Sequence, residues 1–354
     1  MLINILAILF VFGVLILTHE LGHFWAARAV GVRVEMFTFG FGPKLIGIKR
    51  GDTLYQIALI PFGGAVKLAG EEGYGKDDVP KPDEYFGRPA GQRIFMLIMG
   101  SVHNLVVGFL VFILVFLLGV QTVDYRHAKI GSLEPGFPAE NAGIQKEDVI
   151  VSVAGKEVRD WIGVSNEIHK YPGREITVVV RRGGREFPLA ITPVSREVKT
   201  PEGLEKVGLI GIGPSAITER IGFPAVFIRA GQETGRMAGM IFYYLGKLFT
   251  REVSSRDLAG PVGIAQLTTQ FARLGWSNFL YFLALLSVNL GVVNLFPFPM
   301  FDGGHIMGVA VERVTGRKPG RRFLEIGQTI GFALIIMLAL FVTYNDLLRI
   351  LANR

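Results

Sequence analysis

The sequence predicts a polytopic α-helical membrane protein with about four transmembrane helices, a membrane-associated β-hairpin and one α+β domain outside the membrane. Three observations support this fold class. Of the 354 residues, 50% are hydrophobic and only 19% are charged, whereas soluble domains carry about 25% charged residues. Four uncharged runs are long enough to cross a bilayer. A stretch between the second and third runs has the composition of a soluble domain.

The same composition excludes several function classes. A disordered chain and an ordinary cytosolic enzyme do not fit so apolar a sequence. The chain has no cysteine, which removes disulfides, cysteine nucleophiles, iron–sulfur clusters and thiolate zinc sites. A transition-metal site must therefore use carboxylates and the six histidines. The net charge of +7 fits basic cytoplasmic loops of a membrane protein, so we expect no nucleic-acid partner.

The four uncharged runs predict the transmembrane helices. A bilayer core about 30 Å thick requires about 20 apolar residues in a helix. The runs predict spans over residues 1–30, 94–123, 274–301 and 326–345. The first run differs from a cleaved signal peptide because nothing basic precedes Arg28 and because it is longer than a signal-peptide core.

A fifth apolar stretch, residues 221–250, predicts an amphipathic helix. Arg229, Glu233 and Arg236 follow one another at spacings of four and three residues, which places them on one helical face. We expect this helix to lie on the membrane surface or against the bundle, and not to span the bilayer.

The loop charges predict the orientation. The short loop between the third and fourth spans is basic, and short basic loops stay in the cytoplasm. Its basic residues are Arg313, Arg317, Lys318, Arg321 and Arg322. With four spans, the loop over 28–93 lies on the same side, and the soluble stretch and both termini lie outside the cytoplasm.

The first span carries a metal-binding pattern near its predicted inner end. Residues 19–23 read His-Glu-Leu-Gly-His. His19 and His23 are four residues apart, so on an α-helix they lie on one face and can bind the same metal ion. Glu20 lies beside them and can act as a general base on a metal-bound water. Ionisable residues within a span are costly and usually functional. The pattern therefore predicts two metal ligands and a catalytic base.

Asp302 is the predicted third ligand, because a catalytic zinc site uses three protein ligands and keeps one position open. It is the first charged residue after Arg273 and lies at the inner end of the third span, which runs parallel to the first. Pro297 breaks the helix before it, so the backbone there can line a cavity. His103 and His305 are alternative third ligands, for which we favour polar contacts near the site.

These residues together resemble the site-2 protease family of intramembrane zinc metalloproteases. The resemblance covers nearly the whole chain. It depends on the HExxH motif in the first span, on the N-x-x-P-x-P element that begins at Asn294 and leads to Asp302-Gly303, and on a PDZ-like segment after the second span. One departure is Phe301, where the family usually has leucine before the Asp-Gly pair.

The resemblance implies a role for each matching residue. Zn²⁺ would be the cofactor, and His19, His23 and Asp302 would bind it. Glu20 would activate the water. The resemblance further implies a substrate-binding group, whose members would be Asn294, Pro297 and Asn104. The last follows a family Gly-Pro-x-x-Asn pattern that reads Gly-Ser-Val-His-Asn over residues 100–104 here.

The soluble stretch resembles a bacterial PDZ domain. Residues 138–158 predict a short helix followed by alternating strands, and residues 176–180 and 187–191 predict two further strands. PDZ domains bind extended chain ends by strand addition, and the resemblance implies a sieve that admits substrates only after their outer part is trimmed. A simple folded spacer is the alternative.

The domain organisation follows from these segments. We expect an N-terminal membrane half (1–123), a PDZ-like domain (124–200), a linker (201–273) and a C-terminal membrane half (274–354). A cytoplasmic-side β-hairpin is expected within residues 33–70. The Pro-Phe-Gly-Gly sequence at 61–64, in the middle of the apolar stretch 53–68, suggests this hairpin. The hairpin either pairs with an unwound substrate or packs on the bundle.

The resemblance implies a multi-pass metalloendopeptidase of the bacterial inner membrane. Its partners would be the lipid bilayer and single-pass membrane substrates, such as an anti-sigma factor or remnant signal peptides, cut in regulated intramembrane proteolysis. A membrane metal transporter is an alternative, but transport requires no base beside the ligands. An inactive PDZ-containing scaffold would leave the intact motif unexplained.

Overall fold

The chain forms two compact units. In the computed structural model, one unit comprises Met1–Leu118 and Ile221–Arg354, and the other comprises Gly119–Arg220. The structure describes residues 2–71, 79–200, 203–250, 260–316 and 321–352. Two residues of the predicted basic loop, Arg317 and Lys318, lie outside this described part.

The helices account for most of the first unit. In chain order the described α-helices are α1 (Leu2–Ala29), α2 (Ala90–Leu118), α3 (Pro138–Asn141), α4 (Trp161–His169), α5 (Ala225–Phe249), α6 (Pro261–Arg273), α7 (Trp276–Val293), α8 (Asp302–Thr315) and α9 (Arg321–Ala352). Within the described residues, α1, α2, α7 and α9 are long and apolar enough to cross a membrane. The predicted class of polytopic helical membrane protein is therefore confirmed.

The helix α2 lies at the centre of the first unit, where it packs against α1, α5, α7 and α8. Its approach to α1 is close because Gly22 faces it: a Cβ atom at Gly22 would lie 2.3 Å from the carbonyl oxygen of Met99. On another side, α1 packs against α7 through Val11, Leu15 and Phe279, which are all buried. Backbone contact between α1 and α2 therefore fixes the position of the metal-binding motif.

The amphipathic helix α5 lies against the bundle, in contact with α2 and α7. Glu233 on its predicted polar face is buried and accepts a hydrogen bond of 2.5 Å from the hydroxyl of Tyr281 on α7. Arg236 pairs with the same carboxylate. Arg229 lies over the ring of Phe116 on α2. Of the two expected positions, on the membrane surface or against the bundle, these contacts show the second.

A buried ion pair attaches α8 to α2. The Arg93 guanidinium donates hydrogen bonds of 2.8 and 2.9 Å to the two carboxylate oxygens of Glu312. Its side chain is only 5% exposed and lies over the rings of Tyr85 and Phe86. Because α8 begins at Asp302, this pair fixes the helix that carries the predicted third ligand.

Breaking this pair should destabilise the protein. Arg93→Met leaves the Glu312 carboxylate buried without its partner, and we expect a loss of about 3–5 kcal/mol in the free energy of unfolding. The double variant Arg93→Met with Glu312→Leu should recover much of that loss, because no charge is left buried. Unfolding of the single and double variants in the same detergent measures this coupling. A double variant as unstable as the sum of the two single variants would contradict it.

The hairpin consists of β1 (Val34–Arg50) and β2 (Thr53–Leu68). The turn that joins the two strands lies at Gly51 and Asp52. Gly51 has a φ of +62°, which glycine adopts without strain. Residues 61–64 lie inside β2, but residues 54–57 before them and residues 64–67 after them both lie opposite residues 36–39, in opposite directions. The chain therefore reverses its direction within this segment, as the Pro-Phe-Gly-Gly sequence suggested. Among the described strands, only β1 pairs with β2.

The second unit is an α+β unit. Its strands are β3 (Val120–Val123), β4 (Ile130–Leu133), β5 (Val149–Val153), β6 (Lys156–Glu157), β7 (Ile176–Arg182), β8 (Arg185–Ile191), β9 (Val194–Thr200), β10 (Gly203–Leu209), β11 (Ile212–Pro214) and β12 (Ala216–Glu219). A sheet of order β6-β5-β7-β8 forms among the described strands. Ile150 and Val178 on this sheet and Val164 on α4 form its buried core.

The second unit is longer than the expected domain over 124–200. The difference arises because β12 pairs with β3 and β11 pairs with β4. These pairings join the two ends of the unit, so that the stretch 203–219, expected as linker, consists mainly of strands. Short strands that pair with distant segments are difficult to predict, because few residues carry the alternation of apolar and polar side chains and the partner strand is not nearby in the sequence.

Asp148 joins the two central strands of this unit. Its carboxylate accepts two hydrogen bonds of 2.7 Å from Arg182 and one of 2.9 Å from the backbone N–H of Gln145. Burial acts to raise the pKa of Asp148, but the hydrogen bonds from Arg182 and Gln145 hold it below its ordinary value. The carboxylate therefore stays ionised and ties the start of β5 to the end of β7.

Candidate metal centre

The structure brings His19, His23 and Asp302 together. The Nε2 atoms of the two imidazoles are 3.2 Å apart. Oδ2 of Asp302 lies 3.3 Å from Nε2 of His19, and Oδ1 lies 3.4 Å from Nε2 of His23. Each of the three residues thus offers one ligand atom to a common point.

Local structure explains how Asp302 reaches the histidines. Helix α7 ends at Val293, and the chain turns through residues 294–301 before α8 begins. The N–H of Gly303 donates a hydrogen bond of 2.8 Å to the carbonyl of Asn294. A Cβ atom at Gly303 would lie 2.2 Å from the carbonyl oxygen of Leu295. Only glycine permits this close return of the chain, which directs Asp302 towards α1.

These residues fit a zinc ion. Tetrahedral zinc with bonds of about 2.0–2.1 Å places its ligand atoms about 3.3 Å apart. The two Nε2 atoms are 3.2 Å apart, and each lies 3.3 or 3.4 Å from one of the two carboxylate oxygens of Asp302, which is close to that spacing. The Nδ1 atom of His23 lies 2.9 Å from the carbonyl oxygen of Met96. Because that carbonyl can only accept, Nδ1 carries the hydrogen and Nε2 keeps a free lone pair for a metal.

Glu20 shares a cavity of about 270 Å³ with the three ligands. The β2 segment from Gly64 to Val66 lines the same cavity. A Cβ atom at Gly64 would lie 2.9 Å from Cγ of Glu20, so the hairpin backbone packs directly on this side chain. The predicted base, the predicted ligands and the edge of the hairpin therefore line the same cavity.

The predicted substrate-binding residues lie at different positions. Asn294 lines the cavity, and its Nδ2 is 3.3 Å from Nε2 of His19. Pro297 lies in the turn between α7 and α8, outside the described lining of the cavity. Asn104 is fully buried and lies behind His19, with its Nδ2 atom 3.4 Å from Nδ1 of that imidazole.

The alternative third ligands are not in the ligand group. His103 packs edge-on against Trp25, with ring centroids 4.9 Å apart. His305 lines the cavity, but the described group of metal-binding atoms comprises His19, His23 and Asp302. The geometry therefore favours Asp302 as the third ligand.

Sequence reasoning missed several residues that shape the site. Oγ of Ser101 lies 3.5 Å from Oδ2 of Asp302, and the carbonyl of Met96 holds His23. A Cβ atom at Gly100 would lie 2.2 Å from Nε2 of His23. Glu71 lines the cavity and accepts a hydrogen bond from the N–H of Leu68. The small pair Gly100-Ser101 in an apolar span was the available signal for close helix packing.

Gly100→Ala should displace the His23 imidazole and weaken zinc binding, because the added methyl group occupies the position of the ring. We expect zinc affinity to fall at least 10–100-fold, the range found when support of a metal-binding histidine is lost. Titration against a chromophoric chelator measures the change. Gly108→Ala is the matched control, since its methyl group would contact Val288 on α7 and no ligand. Equal affinities in the two variants would contradict the prediction.

Comparison with known proteins identifies the family. The chain matches the sequence profile of peptidase family M50 over residues 7–338. It belongs to peptidase family M50. The expected resemblance to site-2 proteases is therefore confirmed.

The relatives of this M50 peptidase match over nearly their whole length. Zinc metalloprotease RasP of Oceanobacillus iheyensis is 29% identical, over 98% of this chain and 99% of the relative. A putative zinc metalloprotease of Campylobacter jejuni is 32% identical, over 99% and 95% of the two chains. The regulator of sigma-W protease RasP of Bacillus subtilis is 28% identical, over 98% and 99%.

A solved PDZ domain aligns with part of this M50 peptidase. The PDZ domain of an SdrC-like protein from Listeria monocytogenes aligns with 26% of this chain and 90% of its own, at 20% identity and a TM-score of 0.20. A score of that size does not establish a shared fold. The family membership itself makes the protein a metalloendopeptidase of a membrane, and it favours the enzyme over the metal transporter and the inactive scaffold.

Proposed function

We propose that this M50 peptidase is an intramembrane zinc protease that cuts transmembrane segments of single-pass membrane proteins. The observation that supports the proposal is the convergence of His19, His23 and Asp302 to separations of 3.2–3.4 Å. The two histidines lie on α1, which is long and apolar enough to span a bilayer. A hydrolytic site at that position acts on peptide bonds within the membrane.

Each residue of the site has a role in this proposal. His19, His23 and Asp302 would hold the zinc ion. A bound zinc ion would supply a Lewis acid that polarises a carbonyl group and lowers the pKa of water to about 7. Glu20 accepts the proton of the attacking water and passes it to the leaving amine. The Asn294 amide lies beside His19 and donates a hydrogen bond to the substrate, which holds the reacting carbonyl group in place.

The β2 edge supplies the partner that an unwound substrate needs. Peptide bonds in a transmembrane helix are covered by their own hydrogen bonds, so cleavage requires an extended segment. Residues 64–66 of β2 line the same cavity as Glu20, and β1 is the one described strand that pairs with β2. We therefore assign this edge to strand addition by the substrate, which positions its backbone against the base.

The proposed location is the bacterial cytoplasmic membrane. The basic loop after α8 lies in the cytoplasm by the charge rule for short loops. The inner end of α1, with the metal site, then lies near the cytoplasmic face, and the α+β unit and both termini lie outside. Accessibility of introduced cysteines to an impermeant reagent tests this topology. Labelling of a cysteine at Lys146 only after the membrane is opened would contradict it.

The proposed physiological substrate is an anti-sigma factor, and remnant signal peptides are a second class. Support comes from the relative in Bacillus subtilis, which is named a regulator of sigma-W protease. Both substrate types are short membrane-spanning segments left after an outer part is removed. In this proposal the PDZ-like unit limits the size of the part of a substrate that lies outside the membrane. It excludes substrates whose outer domain is intact.

Removal of the α+β unit should let the enzyme cut untrimmed substrates. A short Gly-Ser linker in place of residues 124–215 retains β3 and β12, which pair with each other, and therefore retains the junction with the helices. We expect this variant to cleave full-length and trimmed substrates at similar rates. Unchanged preference for trimmed substrates would contradict the role as a sieve.

The activity itself is tested with purified protein in liposomes that contain a single-pass membrane peptide. We expect cleavage within the transmembrane segment, detected by mass spectrometry of the products. A chelator should stop the reaction, and added zinc should restore it. Cleavage only outside the membrane segment, or cleavage that resists the chelator, would contradict the proposed function.

A further inference from the structure

The two predicted metal-binding imidazoles are each held from behind by α2. His23 contacts the Met96 carbonyl oxygen through Nδ1, and His19 contacts the Asn104 side chain through Nδ1. Asn104 is fully buried and lies outside the described lining of the cavity. A side chain in this position touches a ligand and not the substrate.

The contacts around Asn104 identify which way its amide must point. Oγ1 of Thr18 lies 2.8 Å from Oδ1 of Asn104 and also 2.8 Å from the carbonyl oxygen of Val14. A hydroxyl group has one hydrogen and cannot donate it fully to both acceptors. The amide nitrogen, in turn, faces Nδ1 of His19 at 3.4 Å. In that arrangement Nδ1 accepts, the hydrogen of the imidazole moves to Nε2, and Nε2 cannot bind a metal.

A half-turn of the carboxamide gives both Thr18 and His19 a matching hydrogen-bond partner. Oxygen and nitrogen of an asparagine amide are assigned from their hydrogen bonds, because their shapes are nearly the same. After the half-turn, the amide N–H donates to Oγ1 of Thr18, and the Thr18 hydroxyl donates to the Val14 carbonyl. The amide oxygen then accepts the Nδ1–H of His19. Each of these three hydrogen bonds has its own hydrogen, and Nε2 of His19 keeps its lone pair.

We infer that Asn104 is a positioning residue for His19: its amide oxygen fixes the Nδ1–H tautomer of this ligand and the rotation of the ring. This inference rests on the proposed function, because it assigns the purpose of the tautomer to metal binding. It replaces the expected role of Asn104 in substrate binding. Together with the Met96 carbonyl, Asn104 makes α2 the helix that prepares both imidazoles of α1 for one ion.

The test compares zinc affinities of variants in the full-length protein. Asn104→Leu is similar in size but cannot accept, and we expect zinc affinity to fall about 10–100-fold. Asn104→Asp keeps an acceptor for His19, and we expect it to stay within about threefold of the unchanged protein. Ser287→Ala is the matched control: it removes a buried 2.8 Å hydrogen bond to the Asn104 backbone carbonyl but leaves the amide, so its zinc affinity should not change.

Three results of these titrations would overturn the inference. They are an Asn104→Leu variant that binds zinc normally, an Asn104→Asp variant as weak as Asn104→Leu, and a Ser287→Ala variant as weak as Asn104→Leu. The last two would mean that packing, and not acceptance of the His19 hydrogen, matters at this position.

A second readout needs no zinc. In metal-free protein, Oδ2 of Asp302 lies 3.3 Å from Nε2 of His19 and can itself hold a hydrogen on that nitrogen, so the measurement uses the Asp302→Ala variant labelled with ¹⁵N-histidine. We expect the His19 resonances of an Nδ1–H tautomer in this variant, and an Nε2–H tautomer would overturn the inference even if the unchanged protein binds zinc. Conversely, an Nδ1–H tautomer in the variant, together with an unchanged protein that binds no zinc at these residues, would support the positioning by Asn104 and defeat the proposed function.

Discussion

Replacing Glu20 with glutamine should reduce peptide-bond cleavage by about 10²–10⁴-fold, the contribution of a positioned general base. Glutamine keeps the shape that packs against Gly64, but its amide cannot take the proton of the attacking water. The three ligands are unaltered, so the variant should still bind one zinc ion. Turnover of a membrane peptide and zinc content, measured on the same preparation, check both parts of the prediction.

Zinc content is the internal control in this experiment. A variant that loses cleavage together with zinc would show only that the site had been disrupted. A variant that keeps zinc and still cleaves at the normal rate would contradict the assignment of Glu20 as the base. In cells, the same variant should accumulate uncut membrane segments that are absent when the unchanged enzyme is present.

Asp302→Ala should abolish both zinc binding and cleavage. The change leaves His19 and His23 as a site with two protein ligands, whereas catalytic zinc sites have three. We expect the affinity for zinc to fall by more than the roughly 100-fold that follows loss of a supporting residue. Competition titration with a chromophoric chelator gives the affinity directly.

His305→Ala is the matched control for Asp302→Ala. His305 lies three residues further along α8 and lines the same cavity, but it does not belong to the ligand group among the described residues. We expect this variant to bind zinc as the unchanged protein does. A loss of zinc in His305→Ala, with normal binding in Asp302→Ala, would identify the histidine as the third ligand instead.

The residues that the sequence predicted best are those whose arrangement is local or fixed by the bilayer. His19 and His23 are four residues apart on one helix, so helical geometry alone places them on one face. Asp302 follows a long uncharged run, and the depth of that run in a membrane places it near the histidines. The four spanning helices follow from the same apolar runs.

The features that the sequence did not predict depend on contacts between distant segments. The turn at Gly51 and the pairing of residues 36–39 with two parts of β2 follow from strand register, which the Pro-Phe-Gly-Gly sequence does not specify. Likewise, the support of His19 by Asn104 exists only because α1 and α2 approach closely at Gly22 and Gly100. The sequence pattern of α1 alone does not show which residue of α2 contacts a metal-binding histidine.

X-ray absorption at the zinc edge of the loaded, full-length protein tests the central claim most directly. We predict one zinc ion per chain with two imidazole nitrogens at about 2.0–2.1 Å and carboxylate or water oxygens at about 2.0–2.2 Å. In Asp302→Ala, the zinc should be absent after gel filtration in the presence of a weak chelator. A tightly bound zinc ion with fewer than two imidazoles, or a spectrum unchanged by Asp302→Ala, would contradict a site formed by His19, His23 and Asp302.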